Sequence, residues 1–195
     1  MAVAIPSRAR FVIVGGGIIG CSIAYHLAKL GIRDVALLER RKLTSGTTWH
    51  AAGLVGSMRA TYSQTQMSVY AHWLFRSIED ETGQPTGFRQ TGGFTIAIDP
   101  DRLELLKRTV AFASYVGVRA TLVSPAELKE RWPLLNTGDV LGAMWTPGNG
   151  QVNPVDATMA FAKGARQGGV QIFEDTPVIG LIYNATSVIW MDLNQ

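Results

Sequence analysis

The chain has 195 residues, 47% of them hydrophobic and 17% charged, which excludes a disordered chain and leaves room for a full core in one or two domains. The net charge of +3 forms no basic stripe and no stretch reaches the roughly 20 apolar residues of a membrane span, so neither nucleic acid nor a spanned membrane is expected as a partner. The lone cysteine, Cys21, excludes an internal disulfide framework and points to a reducing compartment.

Arg10 to Val14 is a short apolar, β-branched run and predicts a buried strand. It runs into Gly15-Gly16-Gly17-Ile18-Ile19-Gly20. Cys21 to Leu30 then predicts a helix, with Ile19, Ile23, Leu27 and Leu30 at helical spacing and Gly31 as its stop. Asp34 to Glu39 predicts a second buried strand that ends on an acid.

This strand, turn, helix and strand carry a physical case for dinucleotide binding. Gly15 permits the tight turn, Gly17 lets backbone approach a pyrophosphate, and Gly20 lets the helix pack close on the strands. The helix N-terminus, at Ile18 and Ile19, offers N–H groups and partial positive charge to phosphates. Glu39 lies nineteen residues past Gly20, where a carboxylate accepts hydrogen bonds from ribose hydroxyls. Glu39 disfavours a 2′-phosphate and hence NADP, an effect that Arg40 and Arg41 partly offset. FAD and NAD both fit at this point.

After Glu39, small and hydroxylated residues crowd Thr44 to Thr48, and Trp49, His50, Ala51, Ala52, Gly53 and Leu54 follow. Hydroxyls and closely approached backbone suit a second stretch of contact along an extended ligand.

Residues 61 to 82 predict an amphipathic helix whose Met67, Tyr70, Ala71, Leu74, Phe75 and Ile78 read as core. Gly83 to Gly87 is a turn, and Phe88 to Ile98 holds two strand-like pieces around Gly92-Gly93. Asp99 caps a helix with Pro100 at its first position, and Ser124-Pro-Ala-Glu127 is a capping box. Asn153-Pro154 opens another helix that closes at Gly168-Gly169 and feeds a strand at Val170 to Phe173, then Thr176 to Ile179. His26 and His72 read as packed helix residues, and Cys21 as a small buried residue. No zinc spacing and no nucleophile elbow is visible, so no metal is expected.

The stretch Leu38-Glu39 through Ser45-Gly46-Thr47-Thr48-Trp49-His50-Ala51-Ala52-Gly53-Leu54 resembles the sarcosine and dimethylglycine dehydrogenases, flavoenzymes of the D-amino-acid-oxidase-like fold. Glu79 to Gly83, Thr91 to Gly93, Leu122 to Glu127, Pro133 to Leu135 and Pro147 to Gly150 are similar as well, and the likeness runs over about residues 10 to 181. It implies an α/β chain: a Rossmann-like FAD-binding domain, residues 1–86 and 147–182, with part of an inserted α+β substrate domain at 87–146 and a divergent tail at 183–195. It implies FAD as cofactor, carried covalently on His50, with Gly15, Gly17, Ile18, Ile19, Gly20, Glu39, Arg40, the run Gly46 to Leu54, and Val178 (near the adenine) as binding residues. Trp49 either packs on the flavin or belongs to the core. The implied reaction is hydride transfer from an N-methylated glycine to the flavin, with an electron-transfer flavoprotein as a conceivable acceptor. No catalytic acid or base can be named from these residues.

Two departures stand out. The family carries Asp at the positions of Asn149 and Asn153. From Ile182 the tail no longer follows the family and the remaining domains are missing, so the chain reads as truncated, with Val188 to Trp190 as an exposed apolar tail. Asn184-Ala-Thr186 matches a glycosylation acceptor without other signs of secretion. Two alternatives stay open: an oxidase of the same fold that uses O₂ with another amine, and a non-catalytic FAD-binding fragment. The expected compartment is a bacterial cytoplasm, with the mitochondrial matrix as the alternative.

Overall fold

The computed structural model describes residues 5–183 and 188–193. In chain order the elements are β1 (Phe11–Val14), α1 (Ile18–Lys29), β2 (Val35–Leu38), a 3-10 turn (Thr48–His50), β3 (Leu54–Val55), α2 (Tyr62–Thr82), β4 (Gly93–Ala97), α3 (Pro100–Tyr115), β5 (Thr121–Val123), α4 (Pro125–Arg131), β6 (Gly142–Thr146), β7 (Gly150–Gln151), α5 (Pro154–Gln167), β8 (Gln171–Phe173), β9 (Val178–Tyr183) and β10 (Val188–Leu193). They divide into two compact units: Met1–Gly53, Ser77–Gly87 and Asn153–Gln195 in the first, Leu54–Arg76 and Phe88–Val152 in the second. Residues 54–76 and 147–152 thus pack with the second unit, whereas the sequence reading groups them with the nucleotide-binding part.

The first unit is built on a parallel sheet in the order β1-β2-β8, with Val14 opposite Leu38 and Leu38 opposite Phe173. Strand β2 is central and wholly buried. Helices α1 and α5 pack together through small residues. Gly20, Cys21 and Ala24 of α1 and Ala157, Ala160 and Ala165 of α5 are buried, and a Cβ at Gly164 would meet the Tyr25 ring. Asn153 Oδ1 caps α5 by accepting the N–H groups of Val155 and Asp156.

Three expectations change here. Strand β1 is not buried: Phe11, Val12 and Val14 are exposed, because β1 is the edge strand of a three-stranded sheet. The apolar stripe of α1 is not its core face either. Ile19 is 75% exposed, and Ile23 and Leu30 are exposed, because α1 turns its small residues to its neighbours. The segment expected as a tail forms a strand: β10 pairs antiparallel with β9, Met191 opposite Leu181. Residues 184–186 of the glycosylation sequence lie outside the described residues.

In the second unit β4-β6-β5 form an antiparallel sheet. Ala97, Leu106 and Met144 form one core cluster beneath α3, and Val123, Leu128, Val140 and Ala143 another beneath α4. Asp99 accepts the Arg102 N–H at the start of α3, and Ser124 with Glu127 closes the expected capping box on α4. The stripe on α2 is core only in part. Leu74 and Ile78 are buried, but Met67 is 72% exposed and Tyr70 is exposed, while Thr65 and His72 take buried positions. Among the described residues no helix is long and apolar enough to cross a membrane.

Candidate functional site

The glycine turn lies at the C-terminal end of β1. Gly15 has φ +106°, a conformation that disfavours any side chain, and its N–H donates to the Leu38 carbonyl at 2.8 Å. A Cβ at Gly20 would collide with the Gly15 carbonyl and press on Ile13, so glycine there lets α1 start directly against the turn. The helix opens at Ile18 with Gly17 as cap and no acid in its first turn. First-turn N–H groups have no intrahelical acceptor. That of Ile18 is taken by Thr48 Oγ1 at 3.0 Å, and those of Gly17 and Ile19 have no partner among the described residues. Donors of this kind, on a helix with no acid in its own first turn, suit an anion.

Glu39 is the hinge between the two strands. It is 8% exposed; its Oε2 accepts the Gly16 N–H at 2.6 Å and its Oε1 the Arg41 N–H at 2.9 Å. Each carboxylate oxygen keeps further lone pairs, so acceptor capacity toward a hydroxyl remains. Arg40 is exposed beside it.

The segment after Arg41 folds back over the glycine turn. Thr44 is buried at φ 71°, a costly conformation for a β-branched residue, and its N–H donates to the Gly16 carbonyl at 3.0 Å. Leu43 packs where a Cβ at Gly16 would stand, and its N–H donates to Glu174 Oε1 at 2.8 Å. Residues 173–176 close the edge: Glu39 N–H donates to the Phe173 carbonyl and Thr176 N–H to that of Glu39. Val178 packs on the Ala36, Leu38 and Phe173 cluster.

The structure therefore brings Gly15, Gly17, Ile18, Gly20, Glu39 and Thr48 together, with Val178, the first residue of β9, packed on Phe173 at the end of β8. Gly46, Thr47, Trp49, His50, Ala51 and Ala52 lie exposed along the segment that leaves this cluster, and Gly53 is half-buried. Trp49, 59% exposed, is not a core residue; its ring meets that of His50 edge-on at 3.8 Å. Leu54 starts β3 and is exposed. Burial pushes the Cys21 thiol up to about 12, which leaves it inert as a nucleophile. His26 is held in α1 by its Nδ1 contact with the Ser22 carbonyl oxygen at 2.7 Å.

Sequence reasoning missed Gly16, Leu43 and Glu174. Only the middle glycine of Gly15-Gly16-Gly17 carried a signal. The other two are set by contacts between residues far apart in the chain.

Comparison with known proteins bears on this arrangement. A family model described as "FAD dependent oxidoreductase" matches residues 10–191, ten residues past the point where the sequence reading ends the likeness. Sarcosine dehydrogenase of Homo sapiens is 41% identical over 180 residues, 91% of this chain and 19% of that protein. The pyruvate dehydrogenase phosphatase regulatory subunit of Mus musculus is 37% identical over 193 residues, 99% of this chain and 22% of that protein. Dimethylglycine dehydrogenase of Rattus norvegicus is 40% identical over 174 residues, 89% of this chain and 20% of that protein. The crystal structure of L-proline dehydrogenase from P. horikoshii superimposes with a TM-score of 0.91 at 30% identity, covering 97% of this chain and 50% of that one. The chain thus spans about a fifth of the curated relatives and half of the solved one.

Proposed function

Because this chain belongs to the FAD-dependent oxidoreductase family, we propose that its first unit binds FAD and that the whole enzyme oxidises N-methylated glycines. The observation that carries the reading is the lock between Glu39 and the glycine turn, beside N–H groups of Gly17 and Ile19 that have no partner among the described residues. A pyrophosphate needs such donors, and a ribose needs such a carboxylate.

In this reading Gly15, Gly17, Ile18, Ile19 and Gly20 form the pyrophosphate cradle, and Glu39, flanked by Arg40, accepts from the ribose. Gly46, Thr47, Thr48, Trp49, Ala51, Ala52, Gly53 and Leu54 follow the flavin side, and Val178 lies toward the adenine. His50 is the covalent anchor, supported by its exposed ring on the segment that leaves the turn. Bound FAD supplies the hydride acceptor for oxidation of the amine. The chain's own residues bind it, orient it and shield its phosphates. Residues 87–146 form the first part of a substrate domain, and an electron-transfer flavoprotein serves as acceptor. The buried reduced Cys21 fits a reducing compartment, the bacterial cytoplasm or the mitochondrial matrix.

A second reading has one observation in its favour. A relative named as a regulatory subunit matches 99% of the chain, which supports a FAD-binding chain that does no catalysis. Acid precipitation of protein expressed with added FAD tests the anchor. Flavin fluorescence in the washed pellet, lost in His50→Ala, is the expected result; flavin only in the supernatant removes the anchor. Turnover of N-methylglycine with a dye acceptor by the flavin-loaded chain would overturn the second reading.

A further inference from the structure

The flavin reading leaves the most buried histidine without a role. His72, in the middle of α2, is 6% exposed, and its Nε2 is buried with no hydrogen-bond partner among the described residues. The ring meets Phe88 edge-on at 6.4 Å. Backbone groups of Gly56 and Gly148 lie against it and favour its protonated form, but burial outweighs them and holds the imidazole neutral, below its ordinary pKa.

Those two glycines belong to segments that are already clasped. Ser57 donates its N–H and its hydroxyl to Asn149 Oδ1, each at 2.9 Å. Gly92 N–H donates to the Asn149 carbonyl at 2.8 Å. Beyond the clasp, β3 and β7 pair over Leu54 with Gln151 and Val55 with Gly150. The charged groups that act on the ring are both cations: Arg59 from the segment after β3, and Arg76 from α2, which donates to Gln90. Residues 147–149 and Phe88 bring no ionisable side chain.

We propose that His72 is an acid-sensitive pin: neutral, it seats the Ser57–Asn149 clasp and the β3–β7 pair on α2; protonated from solvent, it releases them. A proton on the buried ring places a full charge where burial and two guanidinium groups oppose it, and the Gly56 and Gly148 backbone groups offset this only in part. The charge is relieved by letting water reach the ring, which requires the clasp to part. A ladder of two residue pairs opens at small loss of pairing. The device belongs to the second unit alone and does not depend on flavin.

The sign follows from the lowered pKa. The closed form is fully favoured above the ordinary imidazole pKa of 6.5 and loses ground as pH falls below it, by up to tenfold per pH unit. Hydrogen exchange of the full chain, corrected for intrinsic rates and read on peptides spanning 54–58 and 147–151, tests this. Between pH 7.5 and 5.5 the wild type should lose protection, by up to about tenfold, while His72→Gln, which cannot titrate, should show equal protection at both. Equal protection in the wild type, or the same loss in His72→Gln, overturns the proposal. Should His72→Gln fail to fold, NMR titration of the wild-type imidazoles decides. His72 titrating below 6.5 in step with clasp exchange supports the pin, and a ring that titrates normally overturns it.

Discussion

The Glu39 carboxylate accepts the Gly16 N–H at 2.6 Å, which joins the acid at the end of β2 to the turn at the end of β1. The same group accepts from Arg41, so its two oxygens hold two backbone segments at once. In Glu39→Gln one oxygen is replaced by an NH₂ that faces an N–H. The expected cost is about 1–3 kcal/mol of stability, the penalty for a buried donor left unmet. FAD affinity should fall about tenfold or more, given 1.4 kcal/mol per decade. Urea unfolding and flavin titration measure the two effects, and unchanged values in both would remove Glu39 from the turn.

Thr48 Oγ1 satisfies the Ile18 N–H from thirty residues away and is itself 6% exposed. Thr48→Val keeps the shape and removes the acceptor. The expected loss is about 1–2 kcal/mol, read as a lower urea midpoint at unchanged slope. Thr48→Ser, which keeps the hydroxyl, should recover part of it.

Asn153 caps α5, its Oδ1 accepting the N–H groups of Val155 and Asp156. Asn153→Asp adds negative charge at a helix N-terminus and should stabilise by about 0.3–1 kcal/mol at low salt, shrinking as salt is raised. Asn153→Ala should cost about 1 kcal/mol. Thermal melts at two salt concentrations report both, and a salt-independent gain would assign it to something other than charge.

Glu81 accepts from the Tyr25 hydroxyl at 2.5 Å and pairs with Lys29 at 2.9 Å. The hydroxyl first, and then the ammonium, lower its pKa. A lowered carboxylate pKa stabilises the fold above the ordinary carboxylate range, and the gain is lost as pH falls through the folded-state value. The group is over a third exposed, so solvent screening limits the effect to below about 1 kcal/mol. Glu81→Gln should be less stable than wild type at pH 7, and the difference should close at acid pH. A difference that persists in acid would assign the effect to packing.

Much of the chain was legible one neighbourhood at a time. The caps at Asp99, Ser124 and Asn153 form as read because their bonds reach only two or three residues along the chain. The strand, turn and helix at residues 11–29 were legible because Gly15 and Gly20 are required by backbone geometry within one motif. Periodicity succeeded for Leu74 and Ile78 but failed for Ile19, Ile23 and Met67. A pattern marks which residues share a face. It does not say whether an element packs on that face.

Glycine spacing and strand length along the chain dictate a dinucleotide-type turn with an acid in register. How that turn is held depends on contacts made across the fold. Thr48 reaches Ile18 across 30 residues, Leu43 reaches Glu174 across 131, and Ser57 reaches Asn149 across 92. Such bonds are chosen by which segments the folded core brings together, and neither partner's own sequence neighbourhood records the other.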